Sequence, residues 1–96
     1  MNRFADPEVE RIYLTGLSKR LPKGLARRAY RAIHVLVDAH ELQDVRIVGP
    51  IRRLGSEPGR YAIPIDGKWH FTFNWEKSFG SFETRLERLK IDKQDG

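Results

Sequence analysis

The chain has 96 residues, of which 40% are hydrophobic, 32% are charged and none is cysteine. A chain of this length builds one core, so a single domain over residues 1–96 is expected, and disulfides, thiolate metal sites and cysteine nucleophiles are excluded. Lys and Arg number 18 against 13 Asp and Glu, a net charge of +5 that points to an anionic partner.

Residues 2–5 suit a short first strand. Asp6 has the character of a helix N-cap, with Pro7 at the first helical position and Glu8 in the first turn. Val9, Ile12, Tyr13 and Leu17 follow at helical spacing, and Gly16 and Ser18 weaken the end of this helix. Pro22 can open a second helix, in which Leu25, Ala29, Ala32, Ile33 and Leu36 mark an apolar stripe. Arg27, Arg31, His34 and Asp38 fall on another face, and the helix is expected to end near Ala39 or His40. Val45 to Val48 and Ile51 to Leu54 read as strand pieces around Gly49-Pro50, and residues 55–59 as a loop.

The strongest local signal lies in residues 60–76. Tyr61, Ile63 and Ile65 alternate with other residues, Asp66-Gly67 follows, and Trp69, Phe71, Phe73 and Trp75 then alternate with His70, Thr72, Asn74 and Glu76. An Asp-Gly pair between alternating strands predicts a two-residue hairpin turn with positive φ. The aromatic face is expected to be core rather than a base-stacking platform, above all at Phe71 and Phe73. Pro64 cannot donate a ladder hydrogen bond, so it implies a bulge or an unpaired side. Residues 81–91 fit a helix by propensity, and a strand is also open after Phe79-Gly80. Residues 92–96 read as a frayed tail. Two helices followed by several strands predict an α+β domain, with the helices on one face of an antiparallel sheet.

The charge is uneven. Between residues 19 and 31 there are six basic residues (Lys19, Arg20, Lys23, Arg27, Arg28, Arg31) and no acid, and Arg46, Arg52, Arg53 and Arg60 form a second basic group. Twelve of the 18 basic residues are Arg, whose planar fork of donors matches phosphate. No apolar run approaches the roughly 20 residues of a membrane helix. The segment MNRFADPEVER lacks the apolar centre of a signal peptide. A cytoplasmic protein without a membrane partner is therefore expected. His34 and His40 are six residues apart and fall on different helix faces, so no metal site is expected. A polar strand face with His70 beside Arg52, Arg53 and Arg60, joined by Arg88 and Lys90, could hold a phosphodiester and move a proton. RNA cleavage needs little more, since the 2′-hydroxyl is the nucleophile and no cofactor is required.

Residues 59–76, GRYAIPIDGKWHFTFNWE, resemble the central hairpin of HigB-type toxins, members of the RelE/ParE superfamily of type II toxin–antitoxin systems. The family pattern there is an aromatic, S-[IV]-R-[IV], a short turn and W-R-[IL]-x-F-x-[WF]-E. The resemblance covers about residues 20–91. It implies a RelE-like small antiparallel or mixed sheet with two N-terminal helices packed on one face, and a last strand over residues 81–91. It implies a ribosome-dependent endoribonuclease that cuts mRNA to a 2′,3′-cyclic phosphate and inhibits translation. It also implies a cognate HigA-like antitoxin, often with a helix-turn-helix domain, and no cofactor. Position by position, the family's first Arg falls on Pro64 and its second on His70. The terminal Tyr and His fall on Leu89 and Lys90. On this resemblance Arg52, Arg53 and Arg60, with Arg27 and Arg31, are the RNA- and phosphate-binding residues. His70 and Lys90 share acid–base work, and Arg88 stabilises the transition state. The alternative implied by the substituted positions is a non-catalytic member of the fold, either a ParE-like gyrase inhibitor or a degenerate toxin that binds only ribosome or antitoxin.

Overall fold

The structure is a computed structural model that describes residues 2–55 and 59–90. Two helices come first, α1 (Pro7–Thr15) and α2 (Lys23–Asp38), followed by a short 3-10 helix (Leu42–Ile47). Four strands follow among the described residues: β1 (Arg52–Arg53), β2 (Arg60–Pro64), β3 (Trp69–Glu76) and β4 (Gly80–Arg88). The strands form one antiparallel sheet in chain order. The domain is α+β as expected, with the helices on one face of the sheet. Val9 and Ile12 of α1 and Ala29, Ile33 and Leu36 of α2 share one buried cluster with Ile63, Phe71, Phe73 and Leu86.

Local chemistry explains the helices. The Asp6 carboxylate accepts the Glu8 N–H at 3.0 Å, and Pro7 occupies the first turn, where a missing N–H costs nothing. Gly16 closes α1 at φ 73°, a left-handed conformation open to glycine, and its N–H donates to the Ile12 carbonyl at 2.8 Å. Asp6 also ties α1 to the end of the sheet. It accepts the Leu86 N–H at 3.2 Å and pairs with Arg20 at 2.8 Å, while Arg20 donates onward to the Leu86 carbonyl. Burial pushes the Asp6 carboxyl up, but the hydrogen bonds from Arg20, Glu8 and Leu86 outweigh it and hold the group below its ordinary value. In α2 the buried positions Ala26, Ala29 and Ala32 are small, and Ala29, Ala32, Ile33 and Leu36 join the core cluster.

Three expectations change. Val45 to Val48 is not a strand, because Glu41 and Asp44 form a capping box that starts the 3-10 helix. Leu42, Val45 and Val48, three residues apart, then turn toward the core together, a spacing that suits this tighter helix. The Asp66-Gly67 turn is not a two-residue positive-φ loop, since Gly67 is not among the residues with positive φ. Its connection spans residues 65–68 and is held by the Asp66 carboxylate, which accepts the N–H groups of Lys68 (2.8 Å) and Trp69 (2.7 Å). Those backbone bonds hold the Asp66 carboxyl below its ordinary value. Residues 2–5 form a single parallel bridge, Phe4 to Thr84, rather than a strand. Residues 56–58 of the expected loop and the expected tail 92–96 lie outside the described residues.

The C-terminal segment is a strand to Arg88, as the resemblance implied and against its helical propensity. Pro64 has an unpaired side. Ile65 N–H bonds to Trp69, so the Pro64 nitrogen faces the opposite edge, beyond Arg52, the last residue of β1 to pair with β2 on that side. It packs there against Gly49, where an added Cβ would come within 2.8 Å of the Pro64 ring. β4 carries one extra residue relative to β3: Thr72 pairs with Arg85 but Asn74 with Phe82. The bulge places Glu83 at φ 50°.

Candidate nucleic-acid interface

Strand alternation separates two surfaces. The helix-covered face takes Tyr61, Ile63, Trp69, Phe71, Phe73, Trp75 and Leu86. The other face takes Arg60, Ala62, His70, Thr72 and Asn74 from β2 and β3. Their register partners add Arg52 (opposite Ala62), Arg85 (opposite Thr72) and Glu87 (opposite His70). Glu76 takes the same side at the far end of β3, and three arginines against two glutamates leave this helix-free face basic.

Arg60 is its pillar, only 5% exposed. It donates to Thr72 Oγ1 at 2.7 Å, to Asn74 Oδ1 at 2.8 Å and to the Glu83 carbonyl at 3.2 Å. The last acceptor is the carbonyl of the bulged residue, so the bulge provides a ligand that an unbroken ladder would use elsewhere. Both terminal guanidinium nitrogens are thus engaged inside the protein. Arg60 therefore supplies positive field to the face rather than an open fork for a phosphate.

His70 is 1% exposed. Its Nδ1 lies 3.2 Å from the Lys68 carbonyl, which also accepts the Leu89 N–H at 2.9 Å. Burial, then the nearby Arg52 charge, push its pKa below the ordinary histidine value, against opposing pulls from the Lys68 carbonyl and Asp66. The ring is thereby favoured in its neutral form, able to accept a proton at one nitrogen while donating with the other.

The expected site residues are not all gathered. His70 and Arg52 share the helix-free face. Arg88 is the register partner of Trp69 and lies over its indole ring (5.7 Å to the centroid), so it belongs to the helix-covered face, across the sheet from His70. The expectation that the two act on one phosphate does not survive this register. Lys90 is exposed and follows Leu89, whose bond to Lys68 brings it to the hairpin end near His70. Arg53 pairs with Tyr61 and points to the helix side. Arg27 and Arg31 are exposed on α2, again on the helix side, with Arg31 beside Arg28 in a groove against Pro64 and Asp66. Sequence reasoning missed Arg85 and Glu87. Their alternation with Leu86 was the available signal once residues 81–91 were taken as a strand.

His34, by contrast, is a packing residue. Its Nε2 lies 3.1 Å from the Tyr13 carbonyl, and its ring stacks on Tyr13 and meets Tyr30 edge-on. Among the described residues no group of three His, Cys, Asp or Glu could hold a metal ion. No helix among them is long and apolar enough to cross a membrane. No family model matches the chain, and no curated protein matches it significantly.

Proposed function

We propose that this chain is a HigB-type toxin of a type II toxin–antitoxin system, an endoribonuclease that cuts mRNA on the cytoplasmic ribosome and is neutralised by a HigA-like antitoxin. The observation that carries the reading is the helix-free sheet face, where Arg52, Arg85 and His70 lie together around a framework fixed by Arg60. The resemblance of residues 59–76 to the family hairpin supports it. On this reading Arg52 and Arg85 hold the phosphodiester, and His70 and Lys90 provide the base and acid. The 2′-oxygen attacks phosphorus, its proton passes to the base, and the leaving 5′-oxygen takes a proton from the acid, giving a 2′,3′-cyclic phosphate.

A second reading has a specific observation in its favour. His70 is enclosed and one of its nitrogens is already used, and Arg88 is across the sheet. A member of the fold that binds its target without cutting, ribosome-bound or ParE-like on gyrase, needs neither residue in reach of a phosphate. Induced expression with translation assays and mapping of mRNA 5′ ends separates the two. The expected result is growth arrest with new mRNA ends, relieved by His70→Ala or Lys90→Ala and by co-expression of a neighbouring helix-turn-helix reading frame. Arrest with intact mRNA supports the second reading, and a DNA-damage response would mark the gyrase form.

A further inference from the structure

A second basic surface lies on the helix side, away from His70. A cleft of about 670 Å³ opens between the 3-10 helix and the edge of the sheet. Tyr61 of β2 and Trp75 of β3 line it, and Arg46, Arg53 and Lys77 stand around it. We infer that this cleft binds one nucleotide of single-stranded RNA, with the base against the Trp75 and Tyr61 rings and the flanking phosphates on Arg46, Arg53 and Lys77.

The volume falls in the range of about 300–1,000 Å³ typical of small-ligand sites. The aromatic layer supplies the second argument. Phe71 and Phe73, in the middle of the sheet, are fully buried, but Tyr61 and Trp75 are only partly so, and the wall they leave open is this cleft. An aromatic edge left uncovered by apolar side chains is ordinary. One bracketed by cations from three separate elements is not, and Arg46 comes from the 3-10 helix, Arg53 from β1 and Lys77 from the turn after β3. All three are exposed, and among the described residues the one ion pair is Arg20 with Asp6, elsewhere in the molecule. The acid at the rim, Glu41, is committed to its capping box and to Gln43. Aromatic faces flanked by Arg and Lys form the combination that holds single strands, since every base has a π-face and every nucleotide a charge. An acidic peptide would use the cations but not the rings.

This site is independent of cleavage and goes beyond the proposed function, because it lies across the sheet from His70. The test uses the full purified chain, a fluorescein-labelled hexauridylate and intrinsic tryptophan fluorescence, in about 50 mM salt, where phosphate contacts are strong. The expected result is quenching that persists in Trp69→Phe and disappears in Trp75→Phe. The double variant Arg46→Glu/Lys77→Glu, at exposed positions, is expected to bind about tenfold or more weakly with its circular dichroism unchanged. The inference is overturned if that variant binds as well as the parent while Arg52→Glu/Arg85→Glu does not. It is equally overturned if a hexaglutamate peptide binds the cleft as tightly as the RNA. Neither result touches the toxin reading, which is decided by growth arrest and mRNA ends.

Discussion

Both faces of the sheet bury side chains, by opposite means. On the helix side, Ile63, Phe71, Phe73 and Leu86 are sealed by apolar residues of α1 and α2, where many similar contacts share the work. On the helix-free side, Arg60, His70 and Thr72 are equally hidden, and Arg60 and Thr72 are held there by a few specific hydrogen bonds. Apolar burial is redundant and tolerates small rearrangements. Polar burial depends on each partner being present, because an unmatched buried donor or acceptor costs more than the bond is worth net. The face proposed to hold the scissile phosphate is thus the one whose geometry is most tightly specified and least forgiving.

Three substitutions press on this contrast. Phe73→Ala, in the middle of the helix-covered face, is expected to lower unfolding free energy by about 3–5 kcal/mol in a urea titration. Arg60→Met keeps much of the volume but leaves Thr72, Asn74 and the Glu83 carbonyl without their donor, and a loss of about 2 kcal/mol is expected. A near-neutral Arg60→Met would show that the polar face is not held in the way its hydrogen bonds suggest. The smallest effect concerns pH. The folded-state pKa of His70 lies below its unfolded value, so the unfolded chain binds the extra proton first. Its contribution is fully present above about pH 6.5 and is lost as pH falls through the lower folded value. His70→Gln should flatten that part of the stability–pH curve. An unchanged curve would assign the acid sensitivity to other groups.

Much of the fold was legible for simple reasons. Asp6-Pro7 announces a helix start, the Leu25–Ala29–Ala32–Leu36 spacing gives α2 its buried side, and four alternating aromatics define β3. These are local rules with one physical cause each. The misreadings arose where two rules compete. Val45 to Val48 has β-branched content, but the Glu41–Asp44 box closes a helical turn first. Asp66-Gly67 has the letters of a tight turn, but the carboxylate of Asp66 accepts two amides and sets a longer one. The site was harder. Arg88 and His70 are each visible in the sequence, but which face each takes depends on the β3–β4 register, and only pairing across strands settles that. The buried role of Arg60 depends on the bulge at Glu83, which no composition signal marks.

The clasp between the two ends of the described chain has a consequence for the order of assembly. Asn2 and Arg3 accept backbone N–H groups from Glu83 and Thr84, and Asp6 and Arg20 together grip both backbone groups of Leu86. Residues about 80 positions apart in the chain are therefore direct partners. During synthesis α1 can coil and cap itself, but its seat on the sheet does not exist until β4 has emerged. Such distant pairing slows closure and leaves the apolar sides of both helices open meanwhile. Docking of α1 therefore waits on the last strand of the sheet, however early its own residues are made.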